Sequence, residues 1–469
     1  MRFTRSRSVA CTAGALLFTL LAGCDDGTPG TGGSGGSGGS GAAGGSGGTA
    51  GSGGAQAAPQ DILTTDLTLN FEQLTGAATV VIQPATGASS VALNIRGLTV
   101  STWTVDGSQV TATVDAGVAT LPITDSTSQV TVTAEYTFPE RGLDKFDGWM
   151  PDSGATFLWP YFCGNLFPCN PNPDDGVTIT MDVTGFDPSL TAVYPKTTTS
   201  NAPSYMPAVA VGNYTKVDLG KTQAGTSIFV WHLPGEETVA QMGTANLANV
   251  FSFYESTYGA YTFGPESGSV SVNWGPGAYG GMEHHPYVHI AADAMGSEET
   301  HAHEAAHGWY GDGVRIACWE DFMLSEGTVT YMAAHGLERV GGPNIWPEYA
   351  ASLDAICTGA DINTIALPST CNEIDLLNDD LWSLVPYIKG ACFYEDVADL
   401  IGTAKVNEAL GDFYKANVGK AAHMSEMIDM LKSKADDADK AQIDTMVTEW
   451  LLSLECPQNY MERCSAHQL

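Results

Sequence analysis

The sequence predicts a multidomain α+β protein in which an N-terminal antiparallel β-sandwich or saddle precedes a mainly α-helical domain. Three observations predict it. From Leu63 to about Trp231, short runs rich in Val, Ile and Thr alternate with Gly, Asp, Asn and Pro. After Pro234 the apolar spacing changes towards a helical period. Within that second half, His303-Glu304-Ala305-Ala306-His307 sets two imidazoles four residues apart, on one face of a helix.

Taken in chain order, the first element is a leader over residues 1–23. Arg2, Arg5 and Arg7 precede an apolar run from Val9 to Leu21 that is too short to span a bilayer. It ends in Leu21-Ala22-Gly23-Cys24, which resembles a bacterial lipobox. Cys24 is therefore expected to carry a lipid anchor and become the mature N-terminus of an exported protein, held on a bacterial membrane and facing the periplasm or cell surface. Residues 24–60 form a tether: Gly27 to Gly54 is almost wholly Gly, Ser, Ala and Thr, which cannot bury a core, and its root-mean-square reach is roughly 35 Å. The body then divides into a β domain over 61–232 and a mainly helical domain over 233–469, each large enough for its own core.

Strands are expected at Val91–Ile95, Val130–Ala134 and Val177–Met181, and again at Tyr287–Ile290. Helical periodicity runs from Glu237 to Tyr258. The His303 helix starts near Ser297, an N-cap residue followed by Glu298 and Glu299 in the turn where the helix dipole favours acids. A second helix is expected from about Asp321 to His335, and further helices at Lys405–Ala416 and Ala438–Leu454.

Nineteen basic against 53 acidic residues give a formal charge of −34, and losing the leader's three arginines takes it to −37. Such a surface repels phosphate backbones, so no nucleic-acid partner is expected. Without Cys11 and Cys24, eight of the ten cysteines remain, an even set that in an exported chain favours disulfides. Short-range pairs are expected: Cys163 with Cys169, Cys357 with Cys371, and Cys456 with Cys464.

Eighteen residues separate His307 from Glu326, and the intervening Gly311-Asp312-Gly313 provides a turn for a returning helix. His303, His307 and Glu326 then make a ligand set for one Zn2+ with a position left open, and Glu304 stands beside it as general base. His301 is a poor ligand candidate because its i+4 neighbour is Ala305. Asp321 is either an acceptor behind a metal-binding imidazole or an exposed carboxylate at a helix start.

HEAAHGWYGDGVRIACWEDFMLSEG, together with Gly280-Gly281-Met282-Glu283-His284, Tyr258-Gly259-Ala260-Tyr261-Thr262-Phe263 and Tyr387-Ile388-Lys389-Gly390-Ala391, resembles the aminopeptidase N and leukotriene hydrolase family of zinc metallopeptidases. The resemblance extends weakly into the β half, through Phe167 to Pro173 and Pro203 to Tyr214. It implies a thermolysin-like, mainly α-helical catalytic domain and a peptide substrate. Glu283 would bind the substrate's α-amino group, Gly280, Gly281 and Met282 would pair with its backbone, and Tyr387 would hydrogen-bond the oxyanion. Departures are also plain. His284 stands where the family has Asn, and an ungapped count puts Trp159 where many members carry a second amine-binding Glu or Gln. The chain stops at Leu469, where the family continues into a C-terminal helical domain, so a more open cleft is expected. The leading expectation is a zinc aminopeptidase. The alternatives are a zinc endopeptidase or altered-specificity peptidase, and a non-catalytic lipoprotein binding module.

Overall fold

The computed structural model describes residues 60–464 except 144–146, 160–161, 199, 276–279, 360–370, 372–373 and 375–380. The leader, Cys24 and all of the tether but Gln60 lie outside the described residues. Among the described residues, no helix is long and apolar enough to cross a membrane.

Alternation builds the β half. In Val130–Thr137, Val130, Val132, Ala134 and Tyr136 are buried while the residues between them are more exposed, and the strand sits inside a six-stranded sheet. That sheet runs in the order Thr178–Thr184, Gln60–Asn70, Thr75–Pro84, Val130–Thr137, Thr99–Val105 and Ser108–Gln109. Its Gln60–Asn70 strand pairs in parallel with Thr178–Thr184, so the domain is not purely antiparallel. A three-stranded sheet containing Ser90–Asn94 and a four-stranded sheet containing Ala155–Leu158 complete this half around Leu69, Ile82, Val132 and Phe157.

A five-stranded sheet links the two halves. Its order is Thr215–Lys221, Ser227–His232, Glu266–Val272, Tyr287–Ala291 and Gly281–Met282. Thr215–His232 therefore pairs with strands beyond residue 233, and the composition change at Pro234 falls inside a hydrogen-bonded unit rather than at its edge. Glu266–Val272 is central and parallel to both neighbours, and is buried from Ser267 onward because both faces are covered. Gly281–Met282 is the short strand at the sheet's edge.

The helical half packs around Tyr254, Trp309, Tyr331, Tyr394 and Phe413. The segment expected as one helix is two, Glu237–Gly243 and Leu247–Thr257. A side chain at Gly243 would overlap the Met295 carbonyl, so the chain closes onto the loop before the His303 helix and bends there. Phe322–Val340 and Leu384–Ile401 cross at Gly327 and Gly390, where a Cβ on Gly327 would lie 2.8 Å from the Gly390 Cα. The expected Lys405–Ala416 helix is Thr403–Asn417. Ala438–Leu454 is shorter than expected: Lys440–Met446 passes into a wide turn that ends with Leu452 N–H on the Val447 carbonyl at 3.2 Å. The buried Lys389 ammonium takes the Ser453 and Glu455 carbonyls, which ends the helix.

Cys163 and Cys169 pair as expected. The other short-range pairs do not form: the bonds are Cys318–Cys371, Cys357–Cys456 and Cys392–Cys464, spanning 53, 99 and 72 residues. The cause is tertiary. Trp450 Nε1 and the Arg463 guanidinium both donate to Asp396, at 2.8 and 2.6 Å, so the C-terminal segment lies along Leu384–Ile401 and brings Cys464 to Cys392.

Candidate metal centre and active-site cleft

The helix Glu298–Ala306 starts where Ser297 Oγ accepts the Thr300 N–H at 3.1 Å, and it is buried from Glu299 to its end. Phe322–Val340 brings Glu326 against it. His303 Nε2 lies 3.1 Å and His307 Nε2 3.4 Å from Glu326 Oε2, and the two Nε2 atoms are 3.3 Å apart. The remaining ring nitrogens fix which proton each imidazole carries. His307 Nδ1 is 3.0 Å from the Tyr310 carbonyl, which can only accept. His303 Nδ1 is 3.4 Å from Thr330 Oγ1, whose own proton goes to the Glu326 carbonyl at 2.6 Å. Both Nδ1 atoms are therefore protonated and both Nε2 lone pairs face the centre. His301 is engaged elsewhere, with Ser269 Oγ and the Met295 carbonyl.

Asp321 does not support either imidazole. Its carboxylate accepts the Met424 N–H at 2.9 Å and meets His423 Nδ1 at 2.8 Å, which secures the start of Met424–Lys434. Being in the tight turn before Phe322–Val340, it points away from the inward face that carries Glu326. Thr330 and the Tyr310 carbonyl take the role expected of it.

Glu283 and Glu304 adjoin the ligand set, with carboxylate oxygens of both and a His307 nitrogen all within 4.8 Å of one another. A side chain at Gly281 would overlap the Glu304 carboxylate, so only glycine lets the edge strand run past it. Gly281 and Met282 pair with Ile290 and His289, and the Gly280 carbonyl accepts the Ala291 N–H at 2.9 Å. Tyr205 reaches from the β half to Glu283, and its hydroxyl favours the ionised carboxylate there.

Acid dominates this pocket. Burial pushes the carboxyls of Glu283, Glu304 and Asp312 up, and their mutual repulsion adds to the rise. Burial also works against charge on Glu326 and His307, but their attraction and the neighbouring Glu283 outweigh it, keeping Glu326 ionised and drawing positive charge, a proton or in its place a cation, to the His307 Nε2 lone pair. Both Asp312 oxygens lack a hydrogen-bond donor among the described residues. Two imidazole lone pairs and a carboxylate, converging where negative charge is in excess, fit a divalent cation that accepts nitrogen and oxygen, as Zn2+ does.

Tyr387 is half-buried on Leu384–Ile401 and lies over the His303 ring at 5.9 Å between centroids. The cleft in front of Glu283 and Glu326 is walled by Trp319, Phe322, Trp382, Pro173, Pro203 and Tyr205. Trp159 stands behind this wall, 4.8 Å from Trp382, so its indole contributes to an apolar surface and brings no charge. His284 is fully buried and turned into the β-half core, against His289 at 5.0 Å. Tyr205, Thr330 and Asp312 were missed from sequence. Tyr205 lay within a stretch singled out only for its resemblance, and nothing in the spacing distinguishes the other two.

A His-Glu-x-x-His helix completed by a glutamate from the next helix is the ligand arrangement of a gluzincin metallopeptidase. Residues 282–450 match the peptidase family M1 domain. It is 25% identical over 352 residues to leucine aminopeptidase 2-1 of Meyerozyma guilliermondii, covering 69% of this chain and 55% of the relative. It thus spans about half the length of that curated relative. Among solved structures, an M1 zinc metallopeptidase from Deinococcus radiodurans superposes with a TM-score of 0.71 at 20% identity, covering 85% of this chain and 95% of that one. Native yeast LTA4 hydrolase superposes with a TM-score of 0.69 at 18% identity, covering 85% and 68%. The two-domain fold is the one they share.

Proposed function

We propose that this protein is a zinc-dependent aminopeptidase that hydrolyses N-terminal peptide bonds. One observation carries the reading: Glu283, a buried carboxylate suited to an ammonium group, lies beside Glu304 and the His303, His307 and Glu326 donor set. The M1 domain and the names of the relatives support it. One Zn2+ per chain, held by those three side chains, would supply Lewis acidity at the scissile carbonyl and lower the pKa of water towards about 7. Glu283, steadied by Tyr205, holds the substrate α-ammonium. Gly280, Gly281 and Met282 align its backbone as an added strand. Glu304 takes a proton from the attacking water as the C–O bond forms, then gives it to the departing amide nitrogen as the C–N bond breaks. The Tyr387 phenol donates to the carbonyl oxygen as it gains charge.

The test is cleavage of an aminoacyl amide and its N-acetylated twin, with and without a chelator. Loss of activity on chelation, its return with Zn2+, and at least a hundredfold preference for the free amine are expected, the last because removing the ammonium strands a buried carboxylate. Equal cleavage of both substrates would favour the endopeptidase reading, which Trp159 supports by bringing an indole and no charge to the wall behind Trp382.

We also propose export as a lipoprotein anchored through Cys24. The leader pattern, the Gly/Ser tether and the four disulfides support it. A Cys24→Ser variant is expected in the soluble fraction while the wild type sediments with membranes. Identical fractionation of the two would remove the anchor.

A further inference from the structure

His285 follows the amine-binding Glu283 by two residues and is fully buried. It touches three parts of the site at once. Its main-chain N–H donates to the Glu283 carbonyl at 2.8 Å. Its Nε2 lies 3.0 Å from the Glu304 carbonyl, and its Nδ1 is 2.8 Å from the Tyr261 hydroxyl. A carbonyl has no proton to give, so Nε2 carries the hydrogen and Nδ1 must accept from Tyr261. The Glu304 carbonyl needs such a donor because the helix ends there: the Gly308 N–H, which would reach it in a continuing helix, goes to Ala305 instead, at 3.2 Å.

The packing leaves this ring little freedom. Tyr261 is wedged edge-on against Phe251 at 4.9 Å, and a side chain at Gly308 would press on both Tyr261 and the His285 ring. Burial drives the His285 pKa down to about 3, which keeps the ring neutral and suited to donating through one nitrogen and accepting through the other. The Tyr258 to Phe263 stretch, which has no part in the chemistry above, thereby gains one: it supplies the hydroxyl that orients the ring.

We propose that His285 is a positioning residue that locks the amine-binding Glu283 to the catalytic turn of Glu304, as its Nε2–H tautomer, with Tyr261 setting the tautomer. Glu283 marks the amino end of the peptide and Glu304 marks the bond that breaks, so this lock sets the distance between them. Its kinetic arm rests on the aminopeptidase reading, and its spectroscopic arm does not.

In the kinetic arm, His285→Phe keeps a ring but has no donor. It is expected to lower kcat by about tenfold to a hundredfold while KM changes less than about threefold, the pattern of misplaced reacting groups. Zinc content stays at that of the wild type. His285→Gln, whose amide can still donate to the Glu304 carbonyl, is expected to recover kcat to within about threefold of wild type, and Tyr261→Phe to fall between the two. A folded, zinc-loaded His285→Phe with wild-type kcat would overturn the proposal, as would a Gln variant no better than Phe. In the spectroscopic arm, 15N-histidine spectra of the wild type, assigned by difference from His285→Gln, are expected to show a neutral Nε2–H ring from pH 5 to 8. An Nδ1–H ring, or protonation within that range, would overturn it whatever the enzyme cleaves. A wild type that cleaves no aminoacyl amide but shows the Nε2–H ring would sink the functional reading and leave the lock standing.

Discussion

At Glu304 a single oxygen-for-nitrogen exchange separates chemistry from binding. Its carboxylate stands beside the proposed metal-ligand set without belonging to it, since the third proposed ligand is Glu326, 3.1 Å from His303. Glu304→Gln keeps shape and burial but cannot take a proton, so kcat is expected to fall by about 10²–10⁴ with zinc content unchanged by metal analysis. Activity within twofold of wild type would remove Glu304 from the chemistry and make the catalytic assignment of this site wrong. Much of this site was legible in the sequence. Helical geometry dictates that His303 and His307 share a face, and the interval to Glu326 suits a returning helix. Glu283 and Tyr387 could be named only through resemblance. Tyr205 and Thr330 were not legible, because a lone hydroxyl acquires meaning only when a distant segment lands on it, and Asp321, open in the sequence between two roles, takes neither because Met424–Lys434 lands on it.

Between elements, the contact that matters is the crossing of Phe322–Val340 with Leu384–Ile401. Gly327 follows Glu326 by one residue and Gly390 follows Tyr387 by three, and their Cα atoms meet at the crossing. A methyl group there must push the helices apart. Gly390→Ala is therefore expected to cost about 1–3 kcal/mol in denaturant unfolding and to lower kcat, by drawing Tyr387 away from the His303 and Glu326 pair. A variant that unfolds at the wild-type midpoint would mean that the helices can separate freely. The Tyr387-Ile388-Lys389-Gly390-Ala391 motif thus serves three ends: a phenol at the site, an ammonium that takes the Ser453 and Glu455 carbonyls, and the glycine of the crossing. Strands were legible because alternation reports a buried face directly, as in Val130–Thr137. Disulfide pairing was not, because it depends on the C-terminal segment lying along Leu384–Ile401. The Cys392–Cys464 bond closes a 72-residue loop between two fully buried cysteines, so replacing both by Ala is expected to cost about 3–4 kcal/mol, measured as a shift in the urea midpoint. A shift below about 1 kcal/mol would mean that packing alone holds the segment.

Across the whole molecule, the two halves are joined at Arg315. Its guanidinium donates to the carbonyls of Asp174 and Asn201 in the β half and of Gly419 in the helical half, at 3.2, 3.4 and 3.1 Å. Beside it lies Asp175, buried, with one oxygen accepting the Ile62 N–H at 3.1 Å and the other without a donor among the described residues. Burial pushes the Asp175 pKa up to about 7, and the nearby Asp61 and Asp174 add to the rise while the Ile62 N–H and the neighbouring Asn170 side chain oppose it. The unfolded chain releases that proton near pH 4, so the folded state holds it more tightly. This group's stabilising contribution is complete below about pH 4 and is lost as pH rises through 7, where the buried ion costs at most about 4 kcal/mol. Most carboxylates act in the opposite sense, and in a chain of formal charge −34 mutual repulsion already weakens the fold as pH rises. Asp175→Asn keeps an oxygen for Ile62 and cannot ionise. Relative to wild type it is expected to gain about 1–3 kcal/mol at pH 8 and almost nothing at pH 4.5, read from urea denaturation at both values. An equal difference at the two pH values would mean that Asp175 does not change its protonation between them, and that the junction around Arg315 tolerates a buried carboxylate at no cost.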